Sequence, residues 1–576
     1  MQTLPERFFE QAKQRAHDTV FAVRGPEGWH QQSWSSAQTQ VEQVIFALRA
    51  AGIGPGDRVL LLSENRPEWA IFDIAIMAVG ALVVPAYVTH TVGDLQHILR
   101  LTSPCAAFVS SAELTTRILA ADTDTATLKQ LWCAETPNAG GHDPLTTWET
   151  LWSLDVSKPA ESIALHPATI DDPCCLIFTS GTGGDPKAAM LTHRSIGANV
   201  DAAVAILTRH GFGAHDRFLS FLPLAHAYEH TAGLHLPISL GAEVWYCETT
   251  EKLQSYLTEV RPTLVTAVPR LYDLLYTRIQ SQVRQARGLK ARLFQAAVSI
   301  GLKRLDGHPL TLIERSLDPL LDRLVRAKLR ARFGGRIRYF ISGGAPLNPE
   351  VGRFFTSLGI GILQGYGQTE ASPLISVNTP EANKLHTVGK PLPGVDVRVA
   401  EDGELLVRGD CVMRGYWNDP AATAEALHED WLHTGDLAHL DTEGFIEIIG
   451  RKKDLLITSG GDNIAPAKIE ATLTVQEEIE QAVVIGDRRP WLSAVIVPAP
   501  ALLEPGVLPV QRTEAIEQAV KRANQRLAPT EKIRKFIVHT TPFSPENGLL
   551  TPTQKVRRQR VIEALQTDID QLYRPH

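Results

Sequence analysis

The stretch Cys174-Cys175-Leu176-Ile177-Phe178-Thr179-Ser180-Gly181-Thr182-Gly183-Gly184-Asp185-Pro186-Lys187 decides how this chain is read. Its apolar opening predicts a buried strand. The strand runs straight into hydroxyls and glycines and then a lysine. Glycines let backbone N–H groups approach an anion closely, hydroxyls add donors, and lysine adds a point charge. A Walker A loop would need Gly-Lys followed by Ser or Thr, whereas here Pro186 precedes Lys187 and Ala188 follows it. A Gly/Ser/Thr loop is by itself often only a flexible turn, so the neighbouring sequence has to decide.

Outward from this strand, helical and strand patterns alternate. Residues 41–51 have helical apolar spacing, and 58–62 read as a strand. The apolar run 69–88 carries Asp73, Gly80 and Pro85, so it reads as a buried helix to about Val79 and then a strand over 81–84, not a membrane span. Strand signals recur at 174–178, 244–246, 264–267 and 338–341, each leading into a turn or polar loop. Open α/β sheets hold ligands at such places. From Lys390 to Gly450 short strands dominate, at 395–399, 404–407 and 445–449. An α/β segment then follows: a strand at 454–458, a helix from about Pro466, strands at 481–485 and 494–497, a helix ending near Leu527, and a strand at 535–538. The expected fold is α/β. A large N-terminal domain (1–451) of α/β layered subdomains plus a small β subdomain precedes a small α+β C-terminal domain (452–576).

The 576 residues are too many for one core, and the net charge of -7 gives no hint of nucleic acid. The six cysteines include no C-x-x-C pair, and Cys174 and Cys175 read as small buried hydrophobes. With no secretory signal, a reducing, cytoplasmic setting is expected. One region departs from the acidic balance: residues 278–338 hold 15 Lys/Arg and 4 Asp/Glu. Leu321, Leu324, Val325 and Leu329 are spaced there for one helix face. The segment is either a solvated helical face or a peripheral docking surface for the inner face of an anionic membrane.

The phosphate-type loop resembles that of the adenylate-forming superfamily, which includes acyl-CoA synthetases, luciferases and peptide-synthetase adenylation domains. Gly183 stands where a threonine is usual, and Ala188 where a glycine is. The resemblance continues in order along the chain. Ser342-Gly343-Gly344-Ala345-Pro346 is similar to the adenine-wall segment. Gln364, then Gly365-Tyr366-Gly367-Gln368-Thr369-Glu370, match the aromatic-Gly-x-Thr-Glu motif. Thr434-Gly435-Asp436 resembles the ribose-binding segment, and Gly450-Arg451-Lys452-Lys453-Asp454 the hinge.

The resemblance implies ATP, Mg2+ and coenzyme A as cofactors. Thr179, Ser180, Gly181, Thr182, Gly183, Gly184 and Lys187 would hold phosphates. Gly343, Gly344, Ala345, Pro346, Gln364, Gly365, Tyr366 and Gly367 would line the adenine, and Thr369 would meet the α-phosphate. Asp436 and Arg451 would take the ribose, and Thr182 with Glu370 would hold Mg2+. Lys453 would be the pivot of a mobile C-terminal domain, Ser459, Gly460 and Gly461 would line the path of coenzyme A, and Lys555 would be the adenylation lysine. The stretch 547–555, the basic insertion and the Leu222-Pro223-Leu224-Ala225-His226 loop all resemble bacterial long-chain acyl-CoA synthetases. They imply a fatty acid substrate and place His226 near its carboxylate. Acyl-carrier protein as acceptor, an aryl or medium-chain acid, and a silent adenylate-binding protein are the competing expectations.

Two further patterns are set aside. His226-Ala227-Tyr228-Glu229-His230 fits H-x-x-E-H, an inverted zinc-protease signature, but it lies just after Pro223 and a strand-like pattern over 218–224 and coincides with the histidine loop. Gly359-x-Gly361-x-x-x-Gly365 has one residue too many for a dinucleotide fingerprint.

Overall fold

A computed structural model describes residues 1–123, 126–135, 145–155, 164–179, 185–285, 288–551 and 555–574. Among the described residues two large sheets carry the fold. The nine-stranded sheet runs in space from Lys390–Pro391 through Leu374–Val377, Gly361–Gly367, Tyr339–Ser342, Leu264–Ala267, Arg217–Ser220, Glu243–Tyr246 and Thr19–Gly25 to Gly28–Ser33. The eight-stranded sheet runs from Gly415–Tyr416 through Ala188–Thr192, Pro173–Phe178, Leu82–Ala86, Arg58–Leu62, Ala106–Val109 and Gln130–Cys133 to Leu145–Thr147.

The helix Pro67–Ala78 is apolar on nearly every side because it lies between the two sheets. Trp69, Ile71, Phe72 and Ile76 share one core with Val59, Leu61, Val83 and Cys175 of the eight-stranded sheet, and with Phe21, Val244 and Tyr246 of the nine-stranded sheet. Each such fully buried apolar side chain contributes roughly 1.5–3 kcal/mol. Asp73, also 0% exposed, is the exception in that helix. The apolar run thus divides into a helix and the strand Leu82–Ala86, and no helix among the described residues is long and apolar enough to cross a membrane.

A five-stranded antiparallel sheet over residues 395–451 closes the large lobe, with Leu405, Val407, Leu432 and Ile446 as its core. The C-terminal part packs the helices Pro466–Thr474 and Pro509–Asn524 on a three-stranded sheet, with a separate core that includes Ile469, Ile496 and Ile516. It meets the large lobe through exposed ion pairs: Arg270 with Glu480 at 2.9 Å, Arg284 with Glu477 at 2.7 Å, and Arg526 with Glu350 at 2.5 Å.

Several elements differ from the sequence reading. The helix expected over 41–51 starts at Trp34, because the Ser33 hydroxyl accepts the Ser36 N–H at 3.2 Å and caps it. The strand expected over 218–224 stops at Ser220, and the one expected over 454–458 is a 3-10 turn, Lys452–Asp454, followed by only Leu456–Ile457. In the basic region the helical face is re-registered. A π turn, Asp322–Arg326, follows Pro319, which has no N–H to give the helix ladder. Leu324 is left 37% exposed, while Arg326 turns inward to Asp318 at 2.8 Å.

Candidate active site

The Pro173–Phe178 strand and its antiparallel partner Ala188–Thr192 bracket the glycine-rich loop. The base of the loop is closed by the Thr179 N–H donating to the Lys187 carbonyl at 2.8 Å, and by the Lys187 N–H reaching the Thr179 hydroxyl at 3.4 Å. His97 Nε2 holds the Pro186 carbonyl at 2.8 Å. Ser180, Gly181, Thr182, Gly183 and Gly184 lie outside the described residues.

From that base Lys187 projects over the ring of Tyr416, its Nζ 5.2 Å from the centroid. The Tyr416 hydroxyl donates to Glu370 Oε1 at 2.6 Å. Burial and the facing Glu370 push the Tyr416 phenol far above its usual value, so the hydroxyl keeps its proton. Lys187, Tyr416 and Glu370 are therefore linked, although they come from a loop, an edge strand and a 3-10 turn. Nothing in the sequence pattern singled out Tyr416; a Gly-Tyr pair at a sheet edge carries no signature of its own.

The strand Gly361–Gly367 leads into that turn. Gly367 is required by close approach, since a Cβ there would lie 1.7 Å from the Pro373 carbonyl oxygen. Tyr366, one residue earlier, donates to Asp436 Oδ2 at 2.6 Å. Asp436 pairs across the sheet with Arg451, whose Nε is 3.4 Å from Oδ1. Burial raises the Asp436 carboxyl, and Arg451, Tyr366 and Lys555 pull it back. Its strand is pinned by the Thr434 hydroxyl to the Leu405 carbonyl at 2.7 Å and by the Gly435 N–H to Glu404 at 2.8 Å.

Gly343–Pro346 leave the end of the Tyr339–Ser342 strand beside the buried Tyr228 ring, whose hydroxyl holds the Ile341 carbonyl at 3.0 Å. Gly344 adopts φ +80, which a glycine takes without strain. The Gln364 amide is committed elsewhere, accepting the Leu347 N–H and donating to the Thr387 carbonyl, both at 2.8 Å. It braces the segment after Pro346 with its side chain.

A further contributor comes from the C-terminal part. Thr551 and Lys555 close a small loop, the Thr551 N–H donating to the Lys555 carbonyl at 2.8 Å. Burial and Arg451 lower the Lys555 ammonium to about 8, opposed by Asp436 and Glu370. Lys555 also helps hold His226 down to about 3, behind the larger effect of burial. His226 caps the helix Ala227–Glu229, its Nδ1 accepting the Tyr228 N–H at 3.1 Å. Lys555 thus interacts with Arg451, Asp436, Glu370 and His226, while Lys453 and the turn Ser459–Gly461 are exposed to solvent.

The H-x-x-E-H residues do not assemble. Glu229 accepts from the Thr266 hydroxyl at 2.7 Å and His230 faces Asp73 at 3.0 Å, so the three side chains point three ways. The spaced glycines at 359–365 lead into and form part of the Gly361–Gly367 strand rather than a phosphate turn.

Comparisons with known proteins give the family and the fold. Residues 8–417 match the AMP-binding enzyme family, and residues 453–576 match the AMP-binding enzyme C-terminal domain. Long-chain-fatty-acid–CoA ligase FadD15 of Mycobacterium bovis is 34% identical, covering 95% of this chain and 92% of its own length. A long-chain-fatty-acid–[acyl-carrier-protein] ligase of Arabidopsis thaliana, AEE15, is 28% identical over 93% of this chain and 82% of its own. The adenylation domain of a Mycobacterium chelonae carboxylate reductase shares the fold, with a TM-score of 0.80 over 99% of this chain and 91% of that one at 22% identity.

Proposed function

Because the chain belongs to the AMP-binding enzyme family, we propose that it activates a long-chain fatty acid with ATP to acyl-AMP and passes the acyl group to coenzyme A. In the first step a carboxylate oxygen attacks the α-phosphorus. The bond from that phosphorus to the oxygen bridging the β-phosphate breaks, and pyrophosphate leaves with the electron pair. In the second step the coenzyme A thiolate attacks the acyl carbonyl carbon and AMP leaves.

The supporting observation is the meeting of Lys187, Arg451 and Lys555 with Glu370 and Asp436, which come from loops, strands and a 3-10 turn far apart in the chain. An anionic nucleophile approaching an anionic phosphate needs cations held in advance. Lys187 suits the β- and γ-phosphates and Lys555 the bridging and carboxylate-side oxygens. Asp436 accepts from the ribose hydroxyls with Arg451 beside it. Tyr366, fixed to Asp436 by its hydroxyl, offers its ring to the adenine, and Thr369 lies next to Glu370 for the α-phosphate. Glu370 presents a half-buried hard oxygen among cations, a donor that fits Mg2+; Mg2+ bound there supplies charge neutralisation on the phosphates. His226, neutral beside Lys555, marks the carboxylate side.

Acid-dependent ATP–pyrophosphate exchange with acids from acetate to palmitate and with benzoate tests the substrate. Palmitate is expected to give the fastest exchange, at least tenfold above acetate; a benzoate optimum overturns the assignment. Coenzyme A is expected to accept the acyl group, and thioester formation only with acyl-carrier protein would move the protein to that class.

The reading extends to the source of the acid. Leu312 and Ile313 are 81% and 80% exposed, and Leu320 and Leu324 also stand out, flanked by exposed Arg315 and Arg323. Apolar side chains with arginines at one edge suit the surface of an anionic bilayer, here its cytoplasmic face. Co-sedimentation with vesicles rich in phosphatidylglycerol, falling several-fold in the double variant Leu312→Asp/Ile313→Asp, is the expected result. Equal binding to neutral vesicles contradicts it.

A further inference from the structure

Away from the nucleotide cluster, three polar side chains meet in the interior between the two large sheets. Asp73 on the helix Pro67–Ala78 is 0% exposed, as is His230, and His235 is 2% exposed. The two histidines are neighbours because residues His230–His235 form a π turn, in which side chains five apart fall on one face. A regular α-helix would separate them.

Their distances are those of a shared centre. His230 Nε2 lies 3.0 Å from Asp73 Oδ1, His235 Nε2 lies 3.3 Å from Asp73 Oδ2, and the two Nε2 atoms are 3.3 Å apart. With protons alone, each Nε2–H would donate to one Asp73 oxygen, leaving the two ring nitrogens 3.3 Å apart as donor against donor. A cation among them takes both ring lone pairs and the carboxylate at once, and the three ligand atoms lie within 4.8 Å of one another. Tetrahedral ligands on zinc–nitrogen bonds of about 2.0 Å lie about 3.3 Å apart.

We propose that Asp73, His230 and His235 bind one zinc-type divalent cation, which ties the π turn to the buried helix beneath the His226 loop. Two imidazoles and a carboxylate are a zinc-like donor set. The three ligands are buried, so the ion exchanges slowly, and a water or another small donor completes the tetrahedron. It shares only His230 with the H-x-x-E-H signature, and its other ligands come from outside that motif.

Metal analysis of the full-length protein after gel filtration, with Zn2+ or Co2+ supplied during growth, tests this. About one ion per chain is expected, lost in Asp73→Asn and His235→Gln and kept in His226→Ala. Protein grown with Co2+ should show the intense visible bands of tetrahedral coordination, a readout that needs no variant. Any protein recovered metal-free should gain several degrees in Tm on adding Zn2+. Metal well below one per chain with no Tm response overturns the site, and so does metal lost in His226→Ala but retained in His235→Gln.

Discussion

Lys555→Ala is expected to slow acyl-AMP formation by about 10²–10³-fold, while thioester formation from supplied acyl-AMP keeps most of its rate. Lys555 stands on a loop of the C-terminal part and still reaches a cluster built by the large lobe, where Arg451, Asp436 and Glu370 all act on its charge. Without it, charge developing on the departing pyrophosphate and on the bridging oxygen loses a preorganised partner. ATP–pyrophosphate exchange reads the first step, and rapid mixing of acyl-AMP with coenzyme A reads the second. Equal loss in both removes the separate role of this lysine. A pH effect follows from the same placement. With the ammonium lowered to about 8, the charged form declines as pH rises through that value. In wild-type protein kcat/KM for exchange should fall above about pH 8, and the fall should vanish in Lys555→Arg, whose guanidinium stays charged.

Glu370→Gln is expected to lower exchange by about 10²-fold and raise the Mg2+ concentration needed for half-maximal rate, since the carboxylate proposed to hold Mg2+ is replaced by a neutral amide. The substitution is nearly isosteric, and its amide oxygen can still accept the Tyr416 hydroxyl, now at 2.6 Å from the carboxylate. Folding should therefore persist, with an unchanged Tm. Tyr416→Phe serves as contrast. It leaves the charge and removes one hydrogen bond, worth about 1 kcal/mol, so a loss of only about fivefold is expected. If both variants lose activity equally and neither shifts the Mg2+ requirement, Glu370 is not the metal-facing acid.

The layered α/β fold could be read from the sequence because each buried strand announces itself as an apolar run ending in a turn; Pro173–Phe178 and Leu264–Ala267 are examples. The candidate site was legible through motifs as a proposal, and the structure draws Lys187, Tyr366, Glu370, Asp436, Arg451 and Lys555 toward one place. What escaped depends on geometry that periodicity does not carry. The π turns at Asp322–Arg326 and His230–His235 rotate side chains off a 3.6-residue repeat. Thus Arg326 is buried in a stretch whose spacing alone suits a solvated face, and His235 carries no sequence signal of its own. Contacts across long sequence separations, such as Asp73 with His230 and Tyr416 with Glu370, leave no mark in either segment alone.

The ion pairs joining the C-terminal part to the large lobe bear on how quickly the proposed enzyme can turn over. Arg270, Arg284 and Arg526 meet their partners in water, where such a pair is worth at most about 1 kcal/mol. On the proposed mechanism, in which the tail piece brings its lysine in for the first chemical event and withdraws it for the second, these pairs add little to the barrier for its release.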